Sequence, residues 1–136
     1  STATQGAGAW NQGKLTLLGS TTFRANTAHF GGGVYNYARE GTVYKGTLTM
    51  KDKSSIQGNS AVLNDWDGPS SGRGGGVVND GAKLTMEGSS NIRINSAIGG
   101  GGVHNYSADQ AVVLSGVTCG PAGRVRDNTP DDCSPA

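Results

Sequence analysis

The sequence predicts an all-β chain folded as a right-handed parallel β-helix, a solenoid of about four coils with three short strands per coil. Three observations predict it: a glycine-rich block recurs four times, an alternating apolar block follows each copy, and the spacing between blocks stays fixed while insertions fall elsewhere.

The recurring block reads Gly6-Ala7-Gly8-Ala9-Trp10-Asn11, then Gly31-Gly32-Gly33-Val34-Tyr35-Asn36, Gly74-Gly75-Gly76-Val77-Val78-Asn79 and Gly100-Gly101-Gly102-Val103-His104-Asn105. The second block, Leu15-Thr16-Leu17, Leu48-Thr49-Met50, Leu84-Thr85-Met86 and Val112-Val113-Leu114, alternates as a half-buried strand does. A third block closes the period, running from Phe23 to Ala28, Ile56 to Ala61, Ile92 to Ala97 and Val125 to Pro130. From Leu17, Met50 and Met86 to Phe23, Ile56 and Ile92 the step is always six residues, and the next Asn follows three later. Length varies only at Tyr37 to Gly46, Val62 to Arg73, Tyr106 to Gln110 and Gly116 to Gly123, which are loops where the backbone leaves the shared core. The chain is one domain, 1–136, with coils at about 6–30, 31–73, 74–99 and 100–133.

Strands this short are stable only when each pairs with its copy one coil up and one coil down, about 4.8 Å away. The expected inward columns are Leu15, Leu48, Leu84 and Val112; Leu17, Met50, Met86 and Leu114; and Phe23, Ile56, Ile92 and Val125. Two rows of asparagine fall at coil bends, where stacked amides bond along the axis: Asn11, Asn36, Asn79 and Asn105, and Asn26, Asn59, Asn95 and Asn128. The Gly-Gly-Gly blocks are corners and not phosphate loops, because no helical periodicity follows any of them.

This pattern, Gly-Gly-Gly-Val-x-Asn, then Leu-Thr-Met, then Ile-x-x-Asn-Ser-Ala, resembles the repeats of bacterial right-handed β-helix surface proteins, of the polymorphic outer-membrane-protein and autotransporter-adhesin type. The resemblance covers nearly the whole chain and implies export and surface display. It is specific for fold and not for function. Members of such families carry many more coils than the four found in this sequence.

Composition narrows the partners. Apolar residues are only 34% of the chain and glycine supplies 24 residues, which suits a thin solenoid core. Lys and Arg total 11 against 10 Asp and Glu, far from the basic balance that points to nucleic acid. No apolar run approaches the ~20 residues of a membrane-spanning helix. The first residues, Ser1-Thr2-Ala3-Thr4, read as a mature chain whose leader has been removed, so a secreted, extracellular or cell-surface location is expected. Cys119 and Cys133 are expected to form a disulfide closing a C-terminal loop, an effect of roughly 3 kcal/mol in the chain-entropy model. Free thiols or half a metal site are the alternatives, and no zinc-spaced Cys or His pair lies nearby.

The chemistry-bearing residues argue against an enzyme. A polysaccharide lyase-like activity, the minor alternative, needs clustered carboxylates for calcium and a Lys or Arg base, whereas the carboxylates here are scattered over corners. Asn64-Asp65-Trp66-Asp67-Gly68 could hold calcium weakly through Asp65 and Asp67, but it reads first as a solvated turn, so no cofactor is expected. His29 and His104 lie in different coils with no nucleophile motif. Asn105-Tyr106-Ser107 fits a glycosylation acceptor, yet Asn105 belongs to a ladder. One threonine row, Thr16, Thr49 and Thr85, continues as Val113 and does not make the flat two-row array of an ice-binding face.

An outward column of Trp10, Tyr35, Val78 and His104, with Tyr37, Tyr44 and Tyr106 in adjacent corners, offers contact for a glycan or a protein partner, as does Trp66. Cross-strand packing is the structural explanation for the same column. Only Ser1 to Gln5 precede the first coil, which leaves its edge bare, while the Cys119–Cys133 segment is expected to cover the last coil, where Asp127 and Pro130 break the inward pattern. The sequence therefore predicts a structural subunit that assembles head-to-tail with itself into a filament or surface layer, with a glycan-binding adhesin as the alternative.

Overall fold

The computed structural model describes residues 2–38, 45–66, 68, 71–106 and 114–134. The chain is a parallel β-helix whose strands stack into four sheets, with strands numbered in chain order. Sheet I holds β1 (Thr2–Gln5), β5 (Thr27–Phe30) and β9 (Ser60–Ala61). Sheet II holds β2 (Ala9–Asn11), β6 (Val34–Tyr37), β10 (Val77–Asp80), β13 (Val103–Asn105) and β16 (Cys133–Ser134). Sheet III holds β3 (Lys14–Leu17), β7 (Thr47–Met50), β11 (Lys83–Met86) and β14 (Leu114–Ser115). Sheet IV holds β4 (Thr22–Arg24), β8 (Ser55–Gln57), β12 (Asn91–Arg93) and β15 (Val125–Arg126).

The repeat blocks become sheets II, III and IV, and sheet I is the addition. It arises because the third block is broken by a left-handed residue in every coil: Ala25 (φ 56), Gly58 (φ 64), Ile94 (φ 57) and Asp127 (φ 58). Positive φ turns the chain sharply, so the Ser/Thr-Ala half starts a separate strand, continued in later coils by single bridges through Ser96 and Thr129. The sequence also leaves the residues before Gly6 outside the coils. In the structure Thr2–Gln5 is β1, in register with β5 through Thr2↔Thr27, Ala3↔Ala28 and Gln5↔Phe30.

Identical positions stack as expected through three coils: Leu15, Leu48 and Leu84; Leu17, Met50 and Met86; Phe23, Ile56, Ile92 and Val125. The fourth coil corrects the sequence reading of sheet III. Leu84 pairs with Leu114, not Val112, and Thr85 pairs with Ser115, not Val113. A slip of two residues keeps the same side chains inward, so strand periodicity alone cannot detect it; residues 111–113 lie outside the described residues. Asp127 is likewise not inward: it occupies the left-handed corner and is exposed, as is Pro130. Together with Val34, Val77, Val103 and Cys133 of sheet II, the stacked columns form one continuous core, against which Val117 packs near its C-terminal end.

The glycine block has a steric logic. The first glycine of each triplet turns the chain at positive φ, as at Gly31 (φ 64), Gly74 (φ 66) and Gly100 (φ 63). The second lies flat against the next coil: a Cβ on Gly75 would overlap the Ser96 carbonyl oxygen and come within 2.6 Å of the Gly101 oxygen.

Both asparagine rows form directional ladders. Asn11 Nδ2 donates to Asn36 Oδ1 (2.9 Å), Asn36 to Asn79 (2.8 Å) and Asn79 to Asn105 (3.1 Å). In the second row the backbone N and Nδ2 of each residue both donate to the next Oδ1, from Asn26 to Asn59, Asn95 and Asn128. The rungs of both ladders therefore run toward the C-terminal coils, while in the second row Nδ2 of Asn59, Asn95 and Asn128 also gives back to the carbonyls of Phe23, Ile56 and Ile92.

Candidate functional site

The ends of the stack differ. Among the described residues no strand pairs with the outer edges of β1, β2, β3 and β4, and Asn26 Oδ1 has no donor. At the other end two carboxylates take the place of a further coil. Asp131 Oδ1 accepts from Gly100 N (2.7 Å) and Gly101 N (3.2 Å), where earlier coils use backbone carbonyls, those of Arg73 and Gly74 for Gly31 and Gly32 and of Gly99 and Gly100 for Gly74 and Gly75. Asp132 Oδ1 accepts from the backbone N (3.0 Å) and Nδ2 (3.1 Å) of Asn128, so it stands in the position of the next ladder asparagine. Being acceptor-only when ionised, it ends the ladder. The Cys119–Cys133 disulfide is formed and ties the covering segment to buried β16. No motif singles out either aspartate in the sequence; the signal is their position, where the other coils carry glycine.

The aromatic residues gather on the outer face of sheet II. Trp10, Tyr35, Val78 and His104 stack in register. They do not form one exposed column. Trp10 is 49% exposed, whereas Tyr35 is 7% exposed and Val78 is fully buried, so cross-strand packing accounts for the middle of the row. Tyr37 lies between Trp10 and Tyr35, its ring centre 6.1 and 6.2 Å from theirs, and His104 meets Tyr106 edge-on at 4.4 Å. Tyr44 lies outside the described residues.

Beside this row is a cleft of about 250 Å³ lined by Gln5, Phe30, Tyr35, Asp80 and Tyr106. One wall comes from the edge of sheet I, where Gln5 pairs with Phe30 and Phe30 with Arg73. The other comes from sheet II, from Tyr35 within β6, Asp80 at the end of β10 and Tyr106 just after β13. The Tyr35 hydroxyl donates to Asp80 Oδ2 at 2.8 Å, and burial, reinforced by that bond and charge, raises its pKa far above the ordinary 10.0. Burial also raises the pKa of Tyr106, with Arg73 opposing and Asp80 adding to the rise. Phe30, Arg73 and Asp80 were not singled out in the sequence because they precede or follow the repeat block and become neighbours only when coils stack.

His104 is half-buried with its Nδ1 buried and unpartnered, and burial followed by the charge of Arg73 lowers its pKa below 6.5, against a smaller opposing pull from Asp131. The folded state thus binds this proton less readily than the unfolded chain. The stability from neutral His104 is complete above pH 6.5 and is lost as pH falls through that value toward the lower folded pKa. The melting temperature is expected to drop between neutral pH and pH 5 in the native chain, and the drop to shrink in His104→Gln, as thermal unfolding monitored by circular dichroism would register.

The remaining candidates stand apart. Trp66 is 97% exposed, and among the described residues no ring contact joins it to the sheet II aromatics. Asp65 lies beside Leu63, Gly68 and Ile98, while Asp67 is outside the described residues; among those described, no group of three potential ligands gathers for a metal. His29 Nε2 lies 3.0 Å from Asn64 Nδ2, on another element from His104. Asn105 is buried and accepts the Asn79 amide. Among the described residues no helix is long and apolar enough to cross a membrane. Comparison with protein-family models, with curated proteins and with solved structures finds no match.

Proposed function

We propose that this chain is an extracellular β-helix adhesin that holds a carbohydrate in the cleft beside sheet II. The observation that carries this reading is the cleft's composition. The rings of Phe30 and Tyr106 offer flat apolar contact, and Asp80 in the same lining offers a carboxylate acceptor. A sugar presents just these complements, a C–H face for stacking and hydroxyls that donate to a carboxylate. The disulfide supports an oxidising compartment. The test is a glycan array followed by titration of any hit. Tyr106→Ala and Asp80→Ala are each expected to weaken binding by about tenfold or more, the range of an interface hot spot. Affinity unchanged in both variants would sink the reading, and loss confined to Trp66→Ala would move the site to that loop.

Head-to-tail assembly into a filament or surface layer is the second reading, and the unpaired edge of β1 to β4 favours it. It draws less support because such a contact sets that edge on Asp131 and Asp132, whose carboxylates have no proton to give to Asn26 Oδ1. Micrometre-scale fibres by electron microscopy would promote it over the first, and monomeric sedimentation at high concentration would remove it.

A further inference from the structure

The outer face of sheet IV carries a different chemistry. Its outward residues stack in register as Arg24, Gln57, Arg93 and Arg126, one per coil. Arg93 Nε donates to Gln57 Oε1 (3.1 Å), and Arg126 is engaged by the Gly123 carbonyl (3.1 Å) and the Asp127 carboxylate (3.8 Å). Among the described residues neither Arg24 nor Arg93 has a carboxylate within ion-pair distance. Arg93 and Arg126 stack on neighbouring strands, where like charges oppose folding. In a chain with net charge +1 this row is a local concentration of cations that folding does not require.

A second observation lies beside it. A groove of about 390 Å³ is bounded by Arg24, Gln57 and Arg93 on one side and by Ala25, Gly58 and Ile94 on the other. Ile94 is held at φ 57 and is 58% exposed. A β-branched residue in the left-handed region is strained, and an exposed apolar side chain recovers little of that cost by burial. The equivalent corner in the second coil is Gly58, so a residue free of both penalties is compatible with the fold.

We propose that this groove binds an acidic polysaccharide running along the helix axis. Arg24 and Arg93 take its carboxylate or sulfate groups through their guanidinium forks, with Arg126 at the end of the row, and the Ala25–Ile94 wall takes the C–H faces of its sugars. With Gln57 between them, Arg24 and Arg93 stand two coils apart, about 10 Å at the ordinary strand spacing, and Arg126 follows one coil beyond. Nucleic acid fits less well, because the groove has no ring on which bases could stack. The site lies on a different sheet from the cleft of Asp80 and Tyr106 and does not rest on that reading.

The chain supplies its own test variants, since Gln57 and Gly58 already occupy these two rows. Titration with polygalacturonate and dextran sulfate, neutral dextran and duplex DNA as probes is expected to show salt-sensitive binding of at least one acidic polysaccharide and none of neutral dextran. Arg24→Gln with Arg93→Gln is expected to weaken that binding by about tenfold or more at unchanged melting temperature. Ile94→Gly is expected to weaken it several-fold while leaving the melting temperature equal or higher. Tyr106→Ala is expected to leave it unaltered. No binding of either polyanion at low salt, equal affinity in the arginine double variant, loss of binding in Tyr106→Ala, or duplex DNA bound as tightly would each overturn the proposal.

Discussion

Gly75→Ala is expected to destabilise the fold by at least about 3 kcal/mol, the upper part of the range for overpacking a well-packed interior. The added methyl would meet the Ser96 carbonyl oxygen in closest contact and the Gly101 oxygen at 2.6 Å, both backbone atoms, the first at the end of the same coil and the second in the next. A side chain can rotate away; a carbonyl in a stacked ladder can move only by separating two coils. Separation would also stretch the bonds from Gly75 N to Gly100 O (3.1 Å) and from Gly76 N to Gly101 O (3.0 Å). The control is Gly58→Ala, at a left-handed corner with no atom within 4 Å and with Ala25 already tolerated in the same row. It is expected to cost about 1 kcal/mol, the left-handed penalty alone. Urea unfolding of the two variants should separate them clearly, and equal midpoints would show that the coils are not in rigid contact.

Asn95→Ala is expected to cost on the order of 3 kcal/mol or more, because it leaves several buried groups unsatisfied at about 1–3 kcal/mol each. Asn95 Oδ1 is the acceptor for both N and Nδ2 of Asn59, and its own Nδ2 donates to the Ile56 carbonyl and Asn128 Oδ1. Asn95 is 1% exposed, so water cannot readily substitute. Against a typical total of about 5–15 kcal/mol, the loss should lower the denaturant midpoint sharply. Asn26→Ala, at the first rung, removes a donor but leaves no donor above it stranded, and is expected to cost less. A midpoint for Asn95→Ala no lower than that of Asn26→Ala would contradict the ladder as a cooperative unit.

The stacked columns and both ladders were legible because they depend on identical residues recurring at fixed spacing. Leu48 over Leu84 and Asn36 under Asn79 follow from the repeat itself. The fourth sheet was not, because nothing in the side chains of Ala25 or Ile94 announces positive φ; the turn is imposed by neighbouring coils. The slip placing Leu114 on Leu84 escaped for a related reason, since residues two apart are equivalent to a strand. The cleft was half legible. Tyr35 and Tyr106 belong to or adjoin the repeat, but Phe30 and Asp80 meet them only through stacking across coils. Which of the two readings of the aromatic row applies at Tyr35 and Val78 was not legible, since a position facing away from the core can still be buried under its neighbours.

The ladders give the molecule an electrical axis. Each rung runs from an Nδ2 to the Oδ1 of the next coil in the same direction, so two rows of small dipoles add along the stack, with partial negative charge at the first coil and partial positive charge at the last. Asp131 and Asp132 sit at the positive pole, as acidic residues do at the start of an α-helix. A coil grafted after Asp132 would meet a terminated field and no donor, whereas one spliced between existing coils would inherit the alignment on both sides. Past its C-terminal end the solenoid is therefore lengthened only by inserting coils within the stack, and the polarity of its amides helps set where new layers fit.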